Sequence, residues 1–279
     1  AKPKDLYVFR DHWREDRVDE QAKCEQVISI VKELTDGTGI NVQYLLPETN
    51  LGCGAGPMTG ISWFFDIVVE DDCLAHPDFF SYCEELLNRY KDTEVKFINS
   101  TLYFDKWNKV CKDSYGYSRY MCTGAWASYR NVWERFDLDL KTLNLWKFAK
   151  HVYDLTGSLA EAEYWYYMAR DVQQDTGKKS YWDYQIQIHL FLQNAVTIHP
   201  SVNLISNIGF DAEGTHTKSD DGRGDKKVYS IMPLCHPQHI LINMKDDNYC
   251  WAKKQSKGFV LDILFIIYHL FAWRKRNCL

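Results

Sequence analysis

Through the first hundred residues, short apolar runs alternate with stretches whose apolar positions recur every three or four residues. Leu6-Tyr7-Val8-Phe9 has the length and character of a buried strand. Val18, Ala22, Val27, Ile30, Val31 and Leu34 then fall largely at helical spacing, and Asp36-Gly37-Thr38-Gly39 stops the helix they predict. Asn41 to Leu46 reads as a second strand, with Pro47-Glu48-Thr49-Asn50 as its exit loop. Gly52, Gly54, Gly56 and Pro57 precede a short helix running through Trp63 and Phe65. Ile67-Val68-Val69 is a third strand, cut off abruptly by Glu70-Asp71-Asp72. Pro77 opens a helix with Phe79, Phe80, Cys83, Leu86, Leu87 and Tyr90 on one face, and Val95 to Ile98 is a fourth strand. Strands alternating with helices predict an α/β fold on a largely parallel sheet flanked by helices.

The second half is less regular. Tyr115 to Trp133 is dense in aromatics, Leu143 to Arg170 and Lys178 to Phe191 read as helices, and Ser201 to Gly209 as a strand. Asp220 to Asp225 is expected to be a solvated polar loop. Phe259 to Trp273 is an apolar stretch of 15 residues interrupted by Asp262 and His269 and followed by Arg274-Lys275-Arg276. A bilayer span needs about 20 apolar residues, so a packed terminal helix is expected. A peripheral membrane contact through 259–276 is the lesser alternative.

Composition narrows the class. Of 279 residues, 46% are hydrophobic and 25% charged, which excludes a disordered or low-complexity chain. The net charge of −5 argues against a dedicated nucleic-acid binder. The nine cysteines form no C-x-x-C pair and no even framework, so reduced thiols in a cytoplasmic protein are expected. No charged-then-apolar leader opens the chain. Aromatics reach 15%, and such side chains fill cores or stack on sugars and bases.

The sharpest chemical feature is Glu70-Asp71-Asp72 at the end of an all-apolar strand. In open α/β sheets, ligands bind beyond the carboxyl ends of strands, and adjacent carboxylates repel one another unless a cation offsets them. Hard oxygen ligands of this kind suit Mg²⁺ or Mn²⁺. Trp182-Asp183 sets one carboxylate among aromatics at a helix start, either as a dipole-favoured helix acid or as a general base. His216, between Thr215 and Thr217, is either a ligand for a metal or phosphate or a solvated loop histidine. His236 and His239 lack partners at zinc spacing and are read as structural. No G-x-x-x-x-G-K-[ST] phosphate loop and no G-x-S-x-G elbow occurs, and Leu51 to Gly56 lacks the G-x-G-x-x-G spacing.

An ordered set of blocks resembles bacterial nucleotide-diphospho-sugar transferases of the GT-A fold, which are grouped with family-2-like and hemolytic-protein-like glycosyltransferases. It comprises Asn50-Leu51-Gly52-Cys53-Gly54, Ile61-Ser62-Trp63-Phe64-Phe65, Val68-Val69-Glu70-Asp71-Asp72-Cys73 and Phe79-Phe80 with Cys83 to Leu87. It continues through Arg119-Tyr120, Ala125 to Arg130 with Trp133, Trp182-Asp183-Tyr184-Gln185, Asn203 to Phe210, Gly214 to Thr217 and Pro233 to Pro237. A more distant likeness is to N-acetylglucosaminyltransferase I, which shares the Val-Val-Glu-Asp-Asp strand end and a later Trp-Asp pair.

The resemblance implies a GT-A domain over 1–250, with a nucleotide-sugar half (1–100) and an acceptor and catalytic half (101–250), and a helical tail over 251–279. The family's first strand is expected to lie outside the chain. It implies a metal-dependent, inverting transfer from a UDP-sugar to a hydroxyl of a glycan or lipid-linked glycan, in the cytoplasm or at the inner membrane face, with Mn²⁺ or Mg²⁺ as cofactor. Asp72 is then the metal ligand and His216 lies near the diphosphate or metal. Asp11, Glu70, Asp71, Trp126 and Arg130 bind the donor, with Asp11 beside the uracil and Trp126 stacked on a sugar. Asp183 is the catalytic base. The alternatives are a nucleotidyltransferase and a degenerate relative that binds glycan or nucleotide without turnover.

Overall fold

A computed structural model describes residues 3–64, 66–102, 113–134, 136–174, 182–209, 226–244 and 247. In chain order, its first half comprises β1 (Asp5–Phe9), α1 (Glu20–Thr35), β2 (Asn41–Leu45), α2 (Gly52–Trp63), β3 (Ile67–Val69), β4 (Cys73–Ala75), α3 (Asp78–Tyr90) and β5 (Val95–Asn99). There follow β6 (Tyr115–Ser118), β7 (Ala125–Ser128), α4 (Arg130–Trp133), α5 (Leu145–Thr156), α6 (Leu159–Gln174), α7 (Asp183–Leu192), β8 (Val196–Pro200) and β9 (Ile205–Asn207). The fold is mixed α/β. Among the described residues no helix is long and apolar enough to cross a membrane, and the 259–276 segment lies outside them.

The central sheet has the order β3-β7-β5-β8-β6. Only β5 and β8 pair in parallel; β3–β7, β5–β7 and β6–β8 are antiparallel, which corrects the expected largely parallel sheet. The difference arises from strands that carry little apolar signal. Tyr-Gly-Tyr-Ser in β6 and Ala-Trp-Ala-Ser in β7 are too short and too mixed to show a period, yet both are almost wholly buried. The pair that is parallel is also the pair joined across several helices, as a parallel crossover requires.

α3 forms as its pattern predicts: Pro77 precedes it, and Phe79, Tyr82, Cys83, Leu86 and Tyr90 are buried while Glu84, Asn88 and Arg89 face water. It covers one face of the sheet at Val95, Ile98, Ala125, Ala127 and Ile198. On the other face Phe97, Trp126, Trp133, Ile186 and Leu190 pack with Met58 of α2. A third cluster lies under the helices, from Phe148 and Val152 of α5 through Trp165 of α6 to Ile188 and Phe191 of α7. The long helix expected over 143–170 is two helices. Gly157 takes a left-handed φ of 68° and donates its N–H to Tyr153 O, ending α5.

The N-terminal elements stand apart. β1 and β2 form a separate two-stranded parallel sheet, and β4 pairs with β9 in another. The glycines expected before α2 lie within it; a Cβ at Gly60 would come 2.8 Å from Phe9 Cγ, so the bare helix face lets β1 approach. Tyr7 of β1 stacks on Phe64 with ring centroids 3.8 Å apart. No residue of β1, α1 or β2 is fully buried, and Val27, Ile30 and Leu34 of α1 are exposed. The run Leu6 to Phe9 is therefore half-buried rather than buried.

Tyr120 donates to Glu161, which is completely buried at the start of α6. Burial pushes the Glu161 carboxyl up to about 7, opposed by the tyrosine hydrogen bond. An acid whose pKa is raised on folding stabilises the fold fully below its unfolded value and loses that contribution as pH rises through the folded one. Stability at this residue should therefore fall between about pH 4.5 and 7. The full loss is about 3 kcal/mol. Glu161→Gln should flatten that part of the profile in urea melts at pH 5 and pH 8, and an unchanged profile would exclude Glu161 as its source. Amide exchange should be slowest in β5, β7, β8 and α3 and markedly faster in α1, β1 and β2. Equal protection in both sets would contradict the loose packing of the N-terminal elements.

Candidate active site

β3 ends at Val69 and the chain turns at once, with Cys73 N–H donating to Glu70 O at 3.1 Å, so all three carboxylates sit in the link to β4. Glu70 faces the loop 119–124 that joins β6 to β7. Its Oε1 accepts Gly124 N–H at 2.7 Å, and its own N–H donates to Gly124 O at 2.8 Å. Gly124 has φ +110°, and a Cβ there would lie 2.9 Å from Ile205 Cδ1 and 3.2 Å from Cys73 Sγ, so both backbone and space require glycine.

Burial pushes the Glu70 carboxyl up to about 7; the Gly124 N–H opposes this, while the charges of Asp72, Asp71 and Asp183 add to it. Asp183, at the first position of α7, is therefore close enough to act on Glu70 although more than a hundred residues separate them. Its Oδ1 accepts Tyr184 N–H at 3.0 Å, at the start of α7. Asp72 Oδ1 accepts the Cys73 thiol at 3.2 Å, and Asp72 O accepts Ile208 N–H at 2.8 Å, where β9 leaves the β4–β9 ladder. Burial, then the neighbouring Asp72, hold Cys73 firmly in its protonated form.

The loop 119–124 is gripped by residues that spacing does not reveal. Asn99 Oδ1 accepts Cys122 N–H at 2.6 Å. Gln187, one turn after Asp183, accepts Met121 N–H and donates to Arg119 O, both at 2.9 Å. Thr197 Oγ1 donates to Tyr120 O at 2.6 Å, and His199 Nε2 lies 2.7 Å from the same oxygen. Asp247 accepts Ser118 Oγ at 2.7 Å and Arg119 N–H at 2.9 Å. These groups come from strands, a helix and a distal segment, so no local motif joins them. Gln187 alone carried a hint, in its helical spacing from Asp183.

Of the expected site residues, Glu70, Asp71 and Asp72 share the link from β3 to β4, and the charge of Asp183 reaches Glu70. Asp11 is instead committed to the start of α2: its carboxylate accepts N–H groups of His12, Leu51 and Gly52 at 2.8–2.9 Å and Asn50 Nδ2 at 3.3 Å. Trp126 is 1% exposed, stacked on Phe97 and flanked by Trp133, so neither ring face is open to a sugar. Its alternation along a central strand, invisible in Ala-Trp-Ala-Ser, turns it into the core. Arg130 is exposed beyond the far end of β7. β7 runs antiparallel to β3, with Val69 opposite Ala125 and Ser128 N–H on Asp66 O, which sets Arg130 at the opposite end of β3 from Glu70. His216 lies outside the described residues. His236 is held between Tyr115 OH (2.8 Å) and Glu85 (2.9 Å), as expected of a structural histidine.

Among the described residues no group of three or more His, Cys, Asp or Glu is arranged to hold a metal ion by itself. Mg²⁺ and Mn²⁺ at phosphate sites are usually held by one or two carboxylates and complete their shell with phosphate oxygens and water. The carboxylates in the link from β3 to β4 supply oxygen donors of the kind that Mg²⁺ and Mn²⁺ take. Compared with known proteins, the chain matches no family model, and no curated protein matches it in sequence.

Trp126→Ala should cost about 3–5 kcal/mol of stability in denaturant unfolding. A cost below about 1 kcal/mol, within the range of surface substitutions, would show that the ring is not a core residue.

Proposed function

We propose that the chain is a metal-dependent glycosyltransferase of the GT-A type, which moves a sugar from a UDP-sugar to a hydroxyl of a glycan or lipid-linked glycan with inversion. What supports this reading is the run Glu70-Asp71-Asp72 at the end of β3, together with Asp183 of α7 lying near enough for its charge to act on Glu70. Like charges gathered in this way favour a divalent cation, which offsets them.

Asp72 would hold the cation; His216, which the resemblance sets near the diphosphate or metal, lies outside the described residues. When bound, the cation neutralises the charge that gathers on the departing nucleoside diphosphate. Glu70 and Asp71 accept hydrogen bonds from the hydroxyls of the donor ribose and sugar. Asp183 takes the proton of the acceptor hydroxyl. The bond from that oxygen to the anomeric carbon forms as the bond from carbon to phosphate oxygen breaks, and the configuration inverts. Asp11 contributes by fixing the turn at Asn50 to Gly52.

A second reading, a relative that binds nucleotide or glycan without turnover, is favoured by one feature: the β1–β2 pair is not continuous with the central sheet.

Melting curves with UDP, GDP, CDP and TDP, each with and without Mn²⁺, separate the two. A ligand at 100 times its Kd adds about 2.7 kcal/mol, a clear shift. A shift with UDP only when Mn²⁺ is present is expected, and no shift with any nucleotide would sink the transferase reading. Asp183→Asn should keep that shift while lowering sugar transfer by about 10²–10⁴-fold. Full binding without any transfer by the unaltered protein to any acceptor hydroxyl offered would favour the second reading.

A further inference from the structure

Gly209 and the Asp72 carboxylate approach more closely than any side chain would allow. A Cβ at 209 would lie 2.6 Å from Asp72 Oδ2, 2.9 Å from its Cβ and 3.2 Å from its Cγ, whereas real Cβ contacts essentially never fall below 3.0 Å. The φ of Gly209 is outside the left-handed region, so the requirement is for space and not for backbone freedom. Relief by backbone movement is opposed on both sides. β4 and β9 pair in register, with Cys73 opposite Asn207, and Ile208 N–H donates to Asp72 O at 2.8 Å. Asn207 Oδ1 accepts Gly209 N–H at 2.8 Å and braces the turn. On its other flank the Asp72 carboxylate accepts the Cys73 thiol at 3.2 Å. The carboxylate is thus held between a bare backbone and a thiol, and an atom added at 209 would press on both its Oδ2 and the Asp72 Cβ, displacing the side chain as well as turning it.

We propose that Gly209, braced by Asn207, is a positioning residue that sets the orientation in which Asp72 presents its carboxylate to the cation of the donor nucleotide. This rests on Asp72 being the metal-holding carboxylate. Groups behind a metal ligand that fix its orientation typically account for 10–100-fold in metal affinity, and the tight contact with Oδ2 places Gly209 in that position.

The test is Mn²⁺ titration of the full chain in the presence of UDP, followed by the electron paramagnetic resonance of the free ion and by calorimetry, for wild type, Gly209→Ala, Asn207→Ala and Asp72→Asn. Gly209→Ala is expected to weaken Mn²⁺ binding to the folded protein by about 10–100-fold, with a lower ligand-free melting temperature because the added Cβ also meets Asp72 Cβ at 2.9 Å. A purely structural role would lower the melting temperature and leave the affinity of the folded fraction unchanged, which would overturn the proposal. If Gly209→Ala does not fold, Asn207→Ala decides, because it removes the brace without adding an atom, and wild-type affinity in it would also overturn the proposal. Loss of binding in Asp72→Asn with wild-type binding in Gly209→Ala sinks the positioning role alone. Wild-type binding in Asp72→Asn sinks the metal-site reading itself.

Discussion

Glu70 and Gly124 exchange two hydrogen bonds across the point where β3 ends and the loop 119–124 enters β7. Much else depends on that exchange. It holds a carboxylate in a half-buried place where burial and three neighbouring charges oppose ionisation, and it does so with one N–H aimed at Oε1. Gly124 can serve only because it lacks a side chain: its φ is left-handed, and Ile205 and Cys73 stand where a Cβ would go. The two carboxylates on either side of Asp71 thus each rest against a glycine, Glu70 against Gly124 and Asp72 against Gly209.

The rest of the protein secures this arrangement unevenly. Around the half-buried loop 119–124, buried polar side chains (Asn99, Gln187 and Thr197) satisfy backbone groups that no strand or helix pairs. Gln187 has a second effect. By joining α7 to Met121 and Arg119, it ties the helix that carries Asp183 to the loop that carries Gly124. The N-terminal elements contribute no such depth. β1, α1 and β2 bury no residue fully, and they touch the core mainly through α2 and the aromatic contacts of Tyr7.

The parts of the fold legible in the sequence were those with a long or pure pattern. α3 could be read because thirteen residues repeat an apolar face, and β3 because three branched apolar residues meet three acids without a transition. The carboxylates stood out for the same reason. By contrast β6, β7 and β8 are short, carry Ser, Thr and His at buried positions, and become strands only by pairing with one another and with β5. Their direction, and with it the mostly antiparallel central sheet, follows from that pairing.

The sequence by itself determined which side chains were available: a run of acids after an apolar strand, an aspartate at a helix start, and glycines where a backbone must come close. It determined this because charge, size and local periodicity belong to single residues and short windows. Only the tertiary structure decided who meets whom. It brought Asp183 to Glu70, sent Trp126 into the core and Arg130 to the opposite end of β3, and committed Asp11 to the start of α2. The physical reason is that side-chain direction in a short strand is set by the register of its neighbours, and the hydrogen bonds a carboxylate makes are set by which backbone N–H groups the packing leaves unpaired.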